Sequence, residues 1–202
     1  MDIFLFTDII GIIAFSLSGF LVGVRNRLDL LGIVIAASLT ALGGGILRDA
    51  LLHRTPFAFI EYYPAITVVL TITIAFAFQS LRSDRIEHKW VFVVSDTIGL
   101  IAFSITGALL AISAEYNVFG IIILSFLTAV GGGVTRDVMI NQVLSVLVSD
   151  FYGSIALIVG ILLAGLNSFD MMSDMAVMGV GMGSILLRLV AYKKRWQLPK
   201  LS

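Results

Sequence analysis

Long apolar tracts alternate with short polar breaks along almost the whole chain. Each tract runs for about 17 to 25 residues. A helix needs about 20 apolar residues to cross the roughly 30 Å hydrocarbon core of a bilayer. The pattern therefore predicts an all-α membrane protein with seven transmembrane helices, at about residues 3–24, 28–52, 64–81, 90–112, 116–140, 152–168 and 171–191.

The composition supports the membrane class and argues against several kinds of chemistry. Of the 202 residues 59% are hydrophobic and 13% are charged, whereas about a quarter of a soluble domain is charged. The chain has no cysteine, and its two histidines, His53 and His88, lie in polar breaks without metal-ligand spacing. Neither an HExxH nor a GxSxG motif occurs. We therefore expect no enzyme activity, no metal or other cofactor, and no nucleic-acid partner.

Most basic residues fall on one side of the predicted membrane. Lys and Arg near the ends of spans are retained on the cytoplasmic side. With seven spans, only Arg48 and Arg54 fall on the opposite face. The expectation is a multi-pass inner-membrane protein with its N-terminus outside, and the cytoplasmic face then holds Arg25, Arg27, Arg82, Arg85, Lys89, Lys193, Lys194, Arg195 and Lys200.

An internal duplication divides the chain. A shift of 88 positions aligns residues 8–49 with residues 96–137, with 20 identities in 42 ungapped positions. Each copy carries three spans, and an odd number forces the second copy to enter the bilayer from the opposite side. Inverted repeats of this kind are typical of transport proteins. The expected layout is one transmembrane domain over 1–202, with repeat one at about 3–81, repeat two at about 90–168, and a seventh helix at about 171–191.

Three consecutive glycines occupy matching places in spans two and five, at Gly43, Gly44, Gly45 and at Gly131, Gly132, Gly133. Three glycines cost a helix about 3 kcal/mol relative to alanine. They also allow the backbone to unwind or to approach another helix closely. Close packing is the alternative, but the duplicated motif, followed each time by Arg-Asp, favours a functional break in helices 2 and 5.

The charges inside the spans need partners, because an unpaired arginine in the bilayer costs at least about 2.5 to 3.5 kcal/mol. Depth along the helices pairs Asp8 with Arg48, since both lie roughly 6 to 8 Å below the outer surface. The repeat pairs Asp96 with Arg136 near the other face. Neighbours in sequence point in different directions on a helix. We therefore expect Asp49 and Asp137 to face the same polar interior and not to pair with the arginines.

Hydroxyl side chains recur at matched positions, chiefly Ser16 with Ser104 and Thr40 with Thr128. Such hydroxyls can replace the hydration water of an ion, but for any one of them a bond to the helix backbone or to another helix is the commoner use. Span seven also carries Gly179 and Gly183 four residues apart, a pattern that predicts a helix contact surface.

The paired GGG-x-x-R-D motif, the repeated D-x-I-G-x-I-A-F-S segment and the three-plus-three-plus-one layout resemble the prokaryotic members of the trimeric intracellular cation (TRIC) channel family. The resemblance covers nearly the whole chain. It implies a homotrimer with one pore in each protomer, helices 2 and 5 broken at their glycines, and permeation of monovalent cations, chiefly potassium. The Lys-Glu-Val motif that animal members use with lipid does not follow the glycines here, where the sequence reads ILRD and VTRD.

Two functions follow from these observations. One is a potassium channel lined by helices 2 and 5, in which a paired arginine at Arg48 or Arg136 either acts as a gate or only fixes helix packing. The other is a small-solute carrier, for glycine or another amino acid, in which one of these arginines binds a carboxylate and the inverted halves alternate in access. A closely similar bacterial family has been linked to glycine uptake. Potassium or another monovalent cation, and membrane lipid, are the expected partners.

Overall fold

A computed structural model describes residues 3–81, 85–148 and 151–196. Two basic residues used for the orientation, Arg82 and Lys200, lie outside this part. The described chain is helical apart from short connections and a 3-10 turn at Phe57–Phe59. Its α-helices are α1 (Ile3–Arg25), α2 (Leu30–Leu51), α3 (Tyr63–Leu81), α4 (Arg85–Ser113), α5 (Val118–Met139), the four-residue α6 (Ser145–Val148), α7 (Gly153–Ser168) and α8 (Asp174–Lys194).

All seven predicted spans are helices, which confirms the all-α class. Five of them, α1, α2, α4, α5 and α8, are long and apolar enough to cross a membrane. The apolar part of α3, Tyr63–Phe78, and the whole of α7 are shorter. At 1.5 Å per residue, the 16 residues of α7 extend about 24 Å, which is less than the hydrocarbon thickness.

Matching caps begin the second helix of each repeat. The Asp29 side chain accepts a hydrogen bond from the backbone N–H of Gly32 at 2.7 Å, and the Asn117 side chain accepts one from Gly120 at 2.8 Å. A side-chain oxygen at this position satisfies one of the N–H groups that a helix start leaves free. The duplication therefore extends to the local signals that start α2 and α5.

The two repeats meet in an antiparallel, self-matching contact between α1 and α4. The rings of Phe15 and Phe103, which are equivalent residues, lie edge to face with centroids 5.3 Å apart. Each ring also covers the other repeat's glycine: a Cβ on Gly11 would lie 2.8 Å from Phe103, and one on Gly99 would lie 2.2 Å from Phe15. Because Gly11 meets Phe103 and Phe15 meets Gly99, α1 and α4 run antiparallel, which confirms the inverted arrangement.

The predicted break at the glycines is wrong for this structure. Both α2 and α5 run as continuous helices through the Gly-Gly-Gly segments, and among the described residues no glycine has a positive φ. The glycines instead let the two helices cross with their backbones in contact. A Cβ on Gly44 would lie 2.1 Å from the Thr128 carbonyl oxygen, and one on Gly132 would lie 2.0 Å from that of Thr40. Close packing, the alternative reading, explains the motif.

Candidate functional site

Three charged residues of the first repeat form a buried group, the first charge cluster, made of Asp8, Arg48 and Asp49. Their side chains are at most 1% exposed. The Arg48 guanidinium donates from Nη1 to Asp8 Oδ1 at 3.3 Å and from Nε to Asp49 Oδ1 at 2.9 Å. The predicted Asp8–Arg48 pair is confirmed. The prediction that Asp49 does not pair with Arg48 is wrong, because the long arginine side chain folds back to the neighbouring carboxylate.

Neighbouring groups complete the hydrogen bonding of the first charge cluster and cover it. The Tyr63 hydroxyl donates to Asp8 Oδ2 at 2.8 Å, and the Phe57 backbone N–H donates to Asp49 Oδ2 at 2.8 Å. The rings of Phe4 and Phe57 lie over the guanidinium of Arg48, with its carbon 5.7 and 5.1 Å from their centroids. The charge-assisted bonds and the aromatic cover leave this cluster almost completely buried in the protein.

The equivalent residues of the second repeat, Asp96, Arg136 and Asp137, form the second charge cluster, which is arranged differently. Arg136 donates from Nε to Asp137 Oδ1 at 2.9 Å, and its Nη2 lies 2.7 Å from the same oxygen. Within the described part of the chain Arg136 makes no ion pair with Asp96, and its Nη1 is buried without a hydrogen-bond partner. The predicted Asp96–Arg136 pair is therefore wrong.

A basic residue outside the duplication also lies beside Asp96. Arg188 of α8 places Nη2 4.0 Å from Asp96 Oδ2 and donates from Nη1 to the Phe151 carbonyl at 3.0 Å. Its guanidinium also lies over the Tyr152 ring, 4.6 Å from the centroid, and Ser18 donates to Asp96 Oδ1 at 3.2 Å. Arg188 was not among the predicted site residues, although an arginine within a membrane span is itself a signal of a functional or paired site.

A cavity of about 900 Å³, the α8 vestibule, opens beside the second charge cluster. It lies where the C-terminal ends of α1, α5 and α8 meet the first half of α4. The cluster residues and Arg188 are at most 7% exposed, whereas the basic residues nearer solvent are exposed. The charged residues that line the vestibule are Arg25, Asp96, Arg136, Asp137, Arg188, Lys193 and Arg195.

The predicted hydroxyls mostly bond to their own helices. Thr40 and Thr128 donate to the carbonyls four residues earlier, each at 2.6 Å, and Ser104 donates to Leu100 at 2.8 Å. The buried Ser16 hydroxyl has no hydrogen-bond partner in the described chain. Thr40 and Thr128 nevertheless lie at the α2–α5 crossing, because their carbonyls touch the glycines of the opposite repeat.

A known protein family matches both halves of the chain. The family model described as Glycine transporter matches residues 5–80 and again residues 93–168. The second match begins 88 residues after the first and covers the three equivalent spans, α4, α5 and α7, so the model independently detects the duplication.

Membrane proteins from several bacteria are similar in sequence. The UPF0126 membrane protein YvgT of Bacillus subtilis is 35% identical over 200 residues, which cover 96% of this chain and 95% of that protein. The inner membrane protein YadS of Escherichia coli is 31% identical, with coverages of 95% and 93%. A UPF0126 protein of Deinococcus radiodurans is 39% identical over 137 residues, which span 67% of this chain and 62% of that protein.

Solved structures extend the likeness to the whole fold. A TRIC cation channel, studied for the structural basis of its conductance, superposes with a TM-score of 0.85 at 35% identity and covers 98% of this chain and 96% of its own. A prokaryotic TRIC channel crystallised in 0.5 M KCl gives 0.85 at 31% identity, with coverages of 97% and 98%. With the inverted repeats, the paired glycine motifs and the buried Arg-Asp clusters, these matches show that the chain belongs to the family of prokaryotic TRIC channels and UPF0126 membrane proteins.

Proposed function

We propose that the protein is a channel for monovalent cations, chiefly potassium, with an ion path inside each protomer along α2 and α5. The observation that carries this proposal is the pair of buried charge clusters, one in each inverted repeat, on either side of the α2–α5 crossing. Four intramembrane carboxylates, Asp8, Asp49, Asp96 and Asp137, are costly to bury and are the groups expected along a cation pathway. The channels named in the structural comparisons are cation channels.

The α2–α5 crossing is the gate in this proposal. Backbone contacts at Gly44 and Gly132 leave no room for an ion between the helices, so the described conformation is a closed one. Separating α2 from α5 would expose the carbonyl oxygens of Thr40 and Thr128, each of which keeps a second lone pair for a ligand besides its helix hydrogen bond. Carbonyl oxygens are the ligands that replace the hydration shell of potassium in selective pores.

The two cluster arginines oppose cations unless their charge is balanced, so their removal is expected to raise conductance. We predict that Arg48→Ala and Arg136→Ala each increase the unitary potassium conductance or the open probability severalfold. Single-channel recording in planar bilayers under a potassium gradient tests this. The matched control is Arg54→Ala, whose side chain is half exposed. If both variants conduct as the wild type does, the arginines take no part in gating.

A carrier for glycine or another small amino acid is the second candidate. One observation favours it: the α8 vestibule opens beside the Arg136 guanidinium, which could bind a carboxylate. Reconstituted protein separates the two functions. A channel gives unitary currents, whereas a carrier gives saturable uptake with counterflow of labelled glycine and no unitary currents.

For the assembly and orientation we propose an inner-membrane homotrimer with an external N-terminus, surrounded by membrane lipid. On α8, a Cβ at Gly179 or Gly183 would meet nothing within 4 Å, and Met175 and Met182 are exposed beside them. This face is available for contact with another copy. Cross-linking of the purified protein, read as the number of chains per complex, tests the trimer.

The orientation can be tested by labelling, because the chain has no cysteine. We predict that Lys194→Cys in intact cells is protected from a membrane-impermeant maleimide, whereas Glu61→Cys reacts. Both positions are exposed in the structure, so the difference reports the side of the membrane and not burial. The reverse labelling pattern would contradict the proposed topology.

A further inference from the structure

An apolar groove of about 670 Å³, the α1–α3 groove, runs along the surface of the first repeat. Its lining comes from α1 between positions 9 and 21, from α3 between positions 67 and 78, and from Val91 of α4. The side chains of Leu70, Ile74 and Phe78 on its wall are 55–63% exposed. Because α1 and α3 are membrane spans, this exposed surface faces hydrocarbon and not water.

The groove offers almost nothing to a polar ligand. In the described part of the chain no charged side chain lines it, and its polar side chains are Thr67 and Thr71. The Thr71 hydroxyl already donates to the Thr67 carbonyl at 2.8 Å. A charged or strongly polar group would lose its hydration in the groove without gaining partners. The lining therefore selects a hydrocarbon.

In the second repeat the protein itself covers the equivalent face. Ile13 of the groove is 44% exposed, whereas its equivalent, Ile101, is 1% exposed. Ile105, the equivalent of Leu17, packs against α8, where a Cβ on Gly181 would lie 3.1 Å from it. Because α8 lies outside the duplication, the first repeat has no counterpart of this helix. Its groove is left for an apolar group from outside the protomer.

The dimensions of the groove favour a chain over a helix. From Ile9 to Leu21, a rise of 1.5 Å per residue gives a length of about 18 Å. One acyl chain spans half of the hydrocarbon core, or roughly 15 Å. A helix with its side chains is about 10–12 Å wide, so the same length of helix would occupy roughly 1,400–2,000 Å³. A helix could therefore enter this groove only by its edge, whereas a flexible chain can follow it from end to end.

We propose that the α1–α3 groove binds one acyl chain of a membrane phospholipid. Bulk lipid tails are as apolar as the groove, so the gain comes from van der Waals contacts with its walls. Binding therefore depends on the length of the chain and not on the headgroup. It requires no ion conduction and does not rest on the proposed channel function.

A bound chain would lie beside the contact that holds α3 in place. Helix α3 packs mainly against α1, with the rings of Phe20 and Phe76 edge to face at 4.8 Å between centroids. The first residue of α3, Tyr63, donates to Asp8 of the first charge cluster. By filling the groove, the chain would strengthen the α1–α3 contact and so help to keep the Tyr63 hydroxyl on Asp8.

Two threonines of α3 give a matched pair of variants. Thr71 lines the groove, whereas Thr73 is exposed and does not. Each hydroxyl donates to the carbonyl four residues earlier at 2.8 Å, so both substitutions remove the same kind of bond. Thr71→Phe places a ring in the groove, and Thr73→Phe places the same ring outside it.

Native mass spectrometry of the full-length protein in detergent, titrated with dipalmitoylphosphatidylcholine, counts the lipids bound per chain. We expect the wild type to bind one lipid per chain. Occupancy at the same lipid concentration is expected to fall about tenfold in Thr71→Phe, because the ring takes the place of many chain contacts. It should change less than about twofold in Thr73→Phe, whose ring only meets lipid.

Two further lipids test the wild type without any substitution. Dipalmitoylphosphatidylglycerol should bind as well as the phosphatidylcholine, whereas dioctanoylphosphatidylcholine, with chains half as long, should bind about tenfold more weakly. A strong preference for phosphatidylglycerol would mean that a headgroup holds the lipid, and the proposal would be overturned. Equal loss in the two threonine variants, or no retained lipid in the wild type, would also overturn it. So would a change in the number of chains per complex in Thr71→Phe at constant lipid content, because the groove would then hold another copy.

Discussion

Gly44→Ala and Gly132→Ala are each expected to lower the free energy of unfolding by about 3 kcal/mol, the upper part of the range for overpacked sites. The added methyl groups would lie 2.1 and 2.0 Å from backbone carbonyl oxygens of the opposite helix. A backbone atom cannot rotate away as a side chain can, so α2 and α5 must move apart. For a chain of this size the expected fall in apparent Tm is about 6–12 °C.

Thermal unfolding of the purified protein in detergent, followed by tryptophan fluorescence, measures this effect. The control is Gly133→Ala in the same motif, where the added methyl group would lie no closer than 3.6 Å to any neighbour. We expect that variant to keep its stability or to gain up to about 1 kcal/mol, the helix-propensity advantage of alanine. Equal destabilisation at all three positions would mean that the glycines are needed for helix flexibility and not for the crossing.

Arg48→Ala is expected to cost about 3–5 kcal/mol, because it leaves Asp8 and Asp49 buried without their shared counter-ion. Each carboxylate keeps one donor, from Tyr63 or from the Phe57 backbone, which is too little to stabilise two neighbouring negative charges. Apparent Tm in detergent is again the measurement, with an expected fall of about 10 °C or more.

The neighbouring Arg54 provides a demanding control for Arg48. Its Nε lies 3.9 Å from Asp49 Oδ1, but its side chain is half exposed, so Arg54→Ala should cost less than about 1 kcal/mol. Adding Asp8→Asn to Arg48→Ala should recover part of the loss, since it removes one of the uncompensated charges. If Arg48→Ala proved as mild as Arg54→Ala, the first charge cluster would be wet and not sealed.

The fold was largely predictable from the sequence because two strong signals agree. Apolar tract lengths predict the helices, and the 88-residue shift predicts that their second half is inverted. The Asp8–Arg48 pair was also predictable, since matched depth in two helices of one repeat constrains which charges can meet.

The wrong predictions have physical causes that the periodicity of the sequence does not reveal. The low helix propensity of Gly43 to Gly45 suggested a break. That cost is offset because the backbone of the other repeat packs directly against these glycines. The Asp96–Arg136 contact was predicted from the first repeat, but Asp96 also has Arg188 beside it, and Arg188 comes from α8, which has no counterpart in the duplication. Repeat symmetry predicts equivalent partners only where both copies have the same neighbours.

The paired Phe15 and Phe103 rings, each covering the other repeat's glycine, make the α1–α4 contact self-complementary. An isologous interface of this kind is what two identical chains related by a two-fold axis would form. A half-length ancestor that inserted into the membrane in both orientations would therefore already have possessed the central packing of this protein as a homodimer. Fusion of two copies would have preserved that packing and allowed each half to diverge. The different surroundings of Arg48 and Arg136 are an example of such divergence.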